Sequence, residues 1–177
     1  MRVCIFCGAY SGIHSVHAEN AALIAQILAQ RGHTIIYGGG KVGLMGIVAD
    51  TALQHGAEVI GVIPDFLIAR EVGHKGLTEM IVVKSMHERK QKMANLADVF
   101  IALSGGWGTL DELAEVLTWK QLGLIKQPIG VLNVEGYYNG LQIQMETMQK
   151  NGFLRVENLH SINFAEKPVL LLNQLGL

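Results

Sequence analysis

Short apolar runs and amphipathic stretches alternate along the chain. Arg2–Phe6, His33–Tyr37, Glu58–Ile63, Glu79–Val83, Asp98–Leu103 and Pro128–Val134 are brief runs rich in Val, Ile and Leu. Each reads as a buried strand. Between them, hydrophobic residues recur at helical spacing. Ala21, Ile24, Ala25 and Leu28 mark the inner face of a helix from about His14 to Gln30, closed by Gly32. A second helix runs from Leu44 to about His55. A third opens at Ser85, where Ser85 and Glu88 fit a capping box. Leu110, Leu113, Ala114 and Leu117 mark a fourth, Tyr137 to Lys150 a fifth with Gly152 beyond it, and Glu166–Leu175 a last one. Ser161–Phe164 reads as a short extended piece. This alternation, without internal repeat or linker, predicts an α/β fold: a doubly wound parallel sheet with helices on both faces, in one domain over 1–177.

Two glycine turns join strands to helices, and both fall where such sheets bind ligands, at the carboxyl ends of strands. The first, Gly38-Gly-Gly-Lys-Val-Gly43, literally satisfies the dinucleotide fingerprint G-x-G-x-x-G. Its acidic partner is misplaced, because Glu58 begins the next strand instead of ending it. Lys41 is followed by Val42, so it is not a Walker loop either. A phosphate or sugar near this turn fits; a full NAD site does not. The second turn, Ser104-Gly-Gly-Trp-Gly-Thr-Leu-Asp-Glu112, brings bare backbone and a helix N-terminus to one place, the arrangement that holds phosphate. Glu112 adds a carboxylate one turn inside that helix. The same residues also fit a local reading, in which Thr109 and Glu112 form a capping box and Glu112 closes the helix end. Spacing alone favours the cap.

Other residues change the picture less. Arg89 and Lys90 place two cations near a helix N-terminus, against its dipole, and a partner anion would offset that cost. Pro64 to Thr78 is a long connection carrying Arg70 and Glu71, of the length often found at active sites or simply exposed. His14 and His17 could meet on one helix face, but without a third ligand they read as surface residues, not a metal site. Cys4 and Cys7, the two cysteines, lie three apart in a predicted strand and so face opposite sides. Neither metal nor redox chemistry is expected of them.

The chain has 177 residues, half of them hydrophobic and 16% charged, with 14 Lys+Arg against 15 Asp+Glu. A net charge of −1 gives no reason to expect nucleic acid or a membrane surface. No signal peptide or spanning run is visible. The expectation is a reduced, cytoplasmic protein.

Met86-His-Glu-Arg-Lys90 together with Gly105-Gly-Trp-Gly-Thr-Leu-Asp-Glu112 resembles the signature of the Lonely guy (LOG) family, the cytokinin riboside 5′-monophosphate phosphoribohydrolases. Cys7-Gly8, Gly38-Gly-Gly-Lys-Val-Gly-Leu-Met-Gly46 and Val59-Ile-Gly-Val-Ile-Pro64 extend the match, in order, over nearly the whole chain. The resemblance implies Rossmann-like subunits, usually homodimers, that need no redox cofactor. It implies cleavage of the N-glycosidic bond of a purine nucleoside 5′-monophosphate such as AMP to free base and ribose 5-phosphate. It places Arg89 and Glu112 in catalytic positions. Glu71, Lys90, Gly105, Gly106, Trp107, Gly108, Thr109, Leu110, Asp111 and Thr118 take binding positions. Two departures stand out: Ser104 where the family usually has Pro, and Ala9 where it often has Ser. Molybdenum-cofactor carriers are a rival, since they look like this fold and bind a phosphorylated pterin without hydrolysis. A lysine decarboxylase, a label the family has often carried, would need pyridoxal phosphate on a lysine, with Lys41 and Lys90 formally available. Trp119 and the abundant apolar residues suit a paired state.

Overall fold

The computed structural model describes residues 1–68 and 72–177. Among them, β1 (Arg2–Phe6), β2 (Thr34–Tyr37), β3 (Val59–Pro64), β4 (Glu79–Val83), β5 (Val99–Ala102), β6 (Ile129–Leu132) and β7 (Ile162–Ala165) form one sheet. The order is β4-β3-β2-β1-β5-β6-β7, and every strand pair is parallel. A parallel sheet is covered on both faces, which is why its strands are written as nearly unbroken apolar runs.

The helices are α1 (Ser15–Gln30), α2 (Gly43–Gln54), α3 (Met86–Leu96), α4 (Trp107–Gln121), α5 (Asn139–Lys150), α6 (Val156–Leu159) and α7 (Pro168–Gln174). Strand side chains alternate between two cores. Val3, Ile5, Ile35, Tyr37, Val99 and Ile101 pack with α1, α2 and α7. Cys4, Phe6, Ile36, Phe100 and Ala102 pack with α3, α4 and α5. Register keeps the two sets apart: Cys4 stands beside Ile36 on one side and Phe100 on the other. The expected doubly wound sheet is therefore the fold, and Cys4 and Cys7 do face opposite cores.

From β1 the chain winds outward through β2 and β3 to β4, then returns to lay β5 against the other side of β1. Connections leaving β1 and β5 consequently part company, and a crevice opens at their carboxyl ends. The site lies there.

One local reading needs correction. Helix α4 begins at Trp107, with Gly106 as N-cap and no side-chain cap. The N–H of Leu110 already reaches the carbonyl of Gly106 at 3.1 Å. Thr109 and Glu112 are thus the third and sixth helical residues, and the capping-box reading of Glu112 is wrong. The glycines let the helix start earlier than the Thr-x-x-Glu pattern suggests. At α3, by contrast, the Glu88 N–H does donate to Ser85 Oγ, at 3.2 Å. The Glu88 carboxylate reaches back to the N–H of Lys84, one residue beyond the usual box. The single-turn helix α6 and two 3₁₀ turns, Asp65–Leu67 and Val134–Gly136, have no counterpart in the sequence reading.

Candidate active site

A cavity of about 640 Å³ occupies the crevice. Its walls come from the end of β1 and the loop after it (Cys7 to His14), the loop after β5 with the start of α4, Gly38 after β2, Leu44 and Met45 at the start of α2, and single residues of α1, α3 and the turn before α5.

Arg89 enters from α3. Helical side chains lean back toward the N-terminus, which carries this one onto the carboxyl ends of the strands. It is 4% exposed. Its Nε donates to the carbonyl of Val62 at 3.0 Å and its Nη2 to that of Gly38 at 2.8 Å. A buried guanidinium is tolerable because such partners replace water. Gly38 makes the room: a Cβ there would lie 2.0 Å from Arg89 Nη2.

Glu112 lies on the inner face of α4 beside Leu113 and is buried. Its charge and that of Arg89 both act on the two buried thiols. Burial chiefly pushes Cys4 and Cys7 upward; the Glu112 carboxylate adds to this, and the Arg89 guanidinium opposes it. The carboxylate and guanidinium line the same cavity as Cys7. The thiols therefore stay protonated and are poor nucleophiles.

The second glycine turn is tied down from behind. The Tyr138 hydroxyl donates to the carbonyl of Leu103 at 2.6 Å, the Gly8 N–H to that of Ser104 at 3.0 Å, and the Tyr137 hydroxyl to that of Gly105. In a trans peptide the N–H points opposite the carbonyl. Each tie therefore turns the N–H of the following residue away from its partner. The first N–H groups of α4, those of Trp107, Gly108 and Thr109, have no acceptor within the helix. All three residues line the cavity. A Cβ on Gly106 or Gly108 would meet nothing within 4 Å, so packing does not demand glycine at either. Gly105 differs: a Cβ would sit 2.1 Å from Thr109 Oγ1 and 2.9 Å from the Gly8 N. Gly105→Ala is expected to fold with a displaced turn and to bind phosphate at least tenfold more weakly, about 1.4 kcal/mol. Titration calorimetry with ribose 5-phosphate measures this.

The first glycine turn is spent on the chain itself. Gly43, at φ +61°, would place a Cβ 2.3 Å from the backbone carbon of Ala9. The N–H of Lys41 bonds Val72, and Gly40 pairs with Gly73. Of this turn only Gly38 lines the cavity.

Of the expected site residues, Arg89, Gly105, Gly106, Trp107, Gly108, Thr109 and Glu112 line the cavity together. Lys90, Leu110, Asp111 and Thr118 do not line it. Leu110 packs into the core under α4. Lys90 is held by Asp111 at 3.0 Å and Glu115 at 3.2 Å, the partner anions its position called for. Burial lowers its pKa, and the bonds it donates to the two carboxylates, with their charges, outweigh that and raise it. Thr118 is exposed on α4 and bonds the carbonyl of Ala114. Glu71 and Arg70 lie outside the described residues.

His17 corrects the surface reading. His14 is exposed, but His17 is half-buried, lines the cavity and bonds Ser104 Oγ through Nδ1 at 2.8 Å. Tyr137, also on the wall, was missed. Its place just after β6, on the same edge as both glycine turns, was the available signal. Among the described residues no cluster of three or more His, Cys, Asp or Glu could hold a metal ion. No helix among them is long and apolar enough to cross a membrane.

A family profile described as "Possible lysine decarboxylase" matches residues 45–175. The chain is 46% identical over 153 residues to cytokinin riboside 5′-monophosphate phosphoribohydrolase LOG7 of Arabidopsis thaliana, covering 86% of this chain and 70% of the relative. It is 41% identical over 174 residues to LOG1 of the same plant, covering 98% and 82%. Among solved structures, the molybdenum cofactor binding protein of Rippkaea orientalis superposes with a TM-score of 0.73 at 19% identity, covering 99% of this chain and 94% of that one. The Moco carrier protein of Chlamydomonas reinhardtii gives 0.72 at 18%, covering 98% and 96%. Those two likenesses concern the fold alone. The plant relatives are matched over most of this chain, and the chain belongs to the LOG family of cytokinin riboside 5′-monophosphate phosphoribohydrolases.

Proposed function

We propose that this chain is a phosphoribohydrolase that cleaves the N-glycosidic bond of purine nucleoside 5′-monophosphates, with AMP and its N6-substituted, cytokinin-type derivatives as substrates. The named relatives support the reaction class. The observation that carries the site assignment is the shared cavity of Glu112, Arg89 and the α4 N-terminus. Breaking the glycosidic bond puts positive charge on the ribose ring, as in other glycoside hydrolyses. Glu112 is the carboxylate that stabilises this charge or activates water. Arg89 orients Glu112 and keeps it ionised, or positions the ribose phosphate. Main-chain N–H groups over Gly105–Thr109 hold the 5′-phosphate. Binding energy from that remote group then positions the sugar. Lys90, Asp111, Leu110, Thr118 and Glu71 remain binding residues on the resemblance, as do a homodimer and a cytoplasmic location.

The decarboxylase label fits the cavity poorly. It needs a lysine for the Schiff base, and neither Lys41 nor Lys90 is among the lining residues. A panel of nucleotides and their nucleosides tests the proposal. Ribose 5-phosphate should be released from AMP or its N6-substituted derivatives, and adenosine should be a poor substrate. Release from adenosine at the same rate would remove the phosphate cradle from the account. Binding of a phosphorylated pterin with no turnover of any nucleotide would make the chain a carrier.

A further inference from the structure

One side-chain group on the cavity wall has no part in the chemistry just described. His17, from the first turns of α1, bonds Ser104 at 2.8 Å. Its ring also stands edge-on to Tyr137, with centroids 5.5 Å apart and planes at 73°. Tyr137 in turn packs edge-on against Tyr138, at 5.0 Å and 84°. Each member of this row ends on the glycine turn: Tyr138 on the Leu103 carbonyl, His17 on the Ser104 side chain and Tyr137 on the Gly105 carbonyl. Three successive residues are thus gripped by side chains from α1 and from the segment leading into α5. Sequence separations of 87 and 32 residues make these tertiary restraints, not turn chemistry.

We propose that His17 and Tyr137 are positioning residues for substrate: they lock the Gly105–Gly106 turn in its anion-receiving shape, His17 acting through Ser104. This rests on the proposed phosphate site. A glycine turn loses more backbone freedom on ordering than any other sequence. A turn left loose must be ordered by each arriving phosphate; one already clamped need not be, and binds more tightly. The clamp stands in for the stiffness that a proline ring at position 104 would supply. The contact runs through side chains at the turn's entry, so its loss is felt in phosphate affinity first and in the bond-breaking step second.

The test uses His17→Phe, His17→Asn and Tyr137→Phe. Phenylalanine at 17 keeps a ring against Tyr137 but cannot bond Ser104. Asparagine places an amide atom where Nδ1 stood. Tyr137→Phe removes only the hydroxyl. Thermal melting confirms folding, calorimetry with ribose 5-phosphate reads binding, and AMP hydrolysis gives KM and kcat separately. His17→Phe and Tyr137→Phe should each weaken ribose 5-phosphate and raise KM by roughly 3- to 10-fold, with kcat changing less. His17→Asn should restore most of the loss. Parent-like ribose 5-phosphate affinity in both Phe variants would overturn the clamp, as would a loss in His17→Phe that His17→Asn does not mend. Should the parent itself neither bind ribose 5-phosphate nor cleave AMP, the functional reading falls and takes the clamp with it.

Discussion

Glu112→Gln is expected to fold and melt as the parent does while releasing base from AMP about 10²–10⁴-fold more slowly. The two side chains have the same shape, and glutamine keeps hydrogen-bonding capacity at a buried position. What it loses is the negative charge. The sequence alone allowed a second outcome, in which Glu112 merely caps its helix and glutamine serves as well. Gly106 holds the cap position, and Glu112 sits a turn further in. A cap effect is therefore no longer available to explain a loss of rate. Parent-like turnover in this variant would take Glu112 out of the reaction.

Arg89→Ala is expected to abolish turnover and also to destabilise the protein. The first effect follows from removing the only cation that lines the cavity among the described arginines and lysines. The second follows from the buried carbonyls of Val62 and Gly38, each of which loses a charged donor. An unsatisfied buried acceptor costs roughly 1–3 kcal/mol. A melting temperature lowered by several degrees is therefore the expected result. Arg89→Lys retains charge but not the planar fork, so it should recover part of the stability and little of the activity. Full activity with either substitution would remove Arg89 from the mechanism. Its double duty was not legible in the sequence, where it looked like a cation in need of an anion. The carbonyl partners lie 27 and 51 residues away, one in β3 and one in the turn after β2.

The same distinction between local and distant signals divides the rest. The strands and helices were readable because each is a local pattern: Val3 to Phe6 and Val99 to Ala102 are unbroken apolar runs, and Ala21, Ile24, Ala25 and Leu28 keep helical spacing. The glycine turn was readable for a similar reason, since three glycines before a helical run leave few alternatives. Where its helix begins was not readable, because glycine tolerates several starts and the Thr109–Glu112 spacing matches a common cap. His17 shows the harder limit. Nothing within α1 separates it from a surface histidine; only the winding of β1 next to β5 sets it against Ser104. Tyr137 is the same case, brought to the turn by the parallel neighbour β6. The first glycine turn shows the opposite case, a motif whose glycines the chain itself needs. It carries a nucleotide fingerprint, yet Gly43 serves a close approach of its own chain at Ala9.

The most direct test of the central claim is a crystal structure of the Glu112→Gln protein with AMP bound. The account predicts phosphate oxygens on the N–H groups of the Gly105–Thr109 turn and the residue-112 side chain within roughly 3–4 Å of the anomeric carbon or of a water poised against it. A phosphate seated elsewhere, or an anomeric carbon out of reach of that side chain, would contradict it.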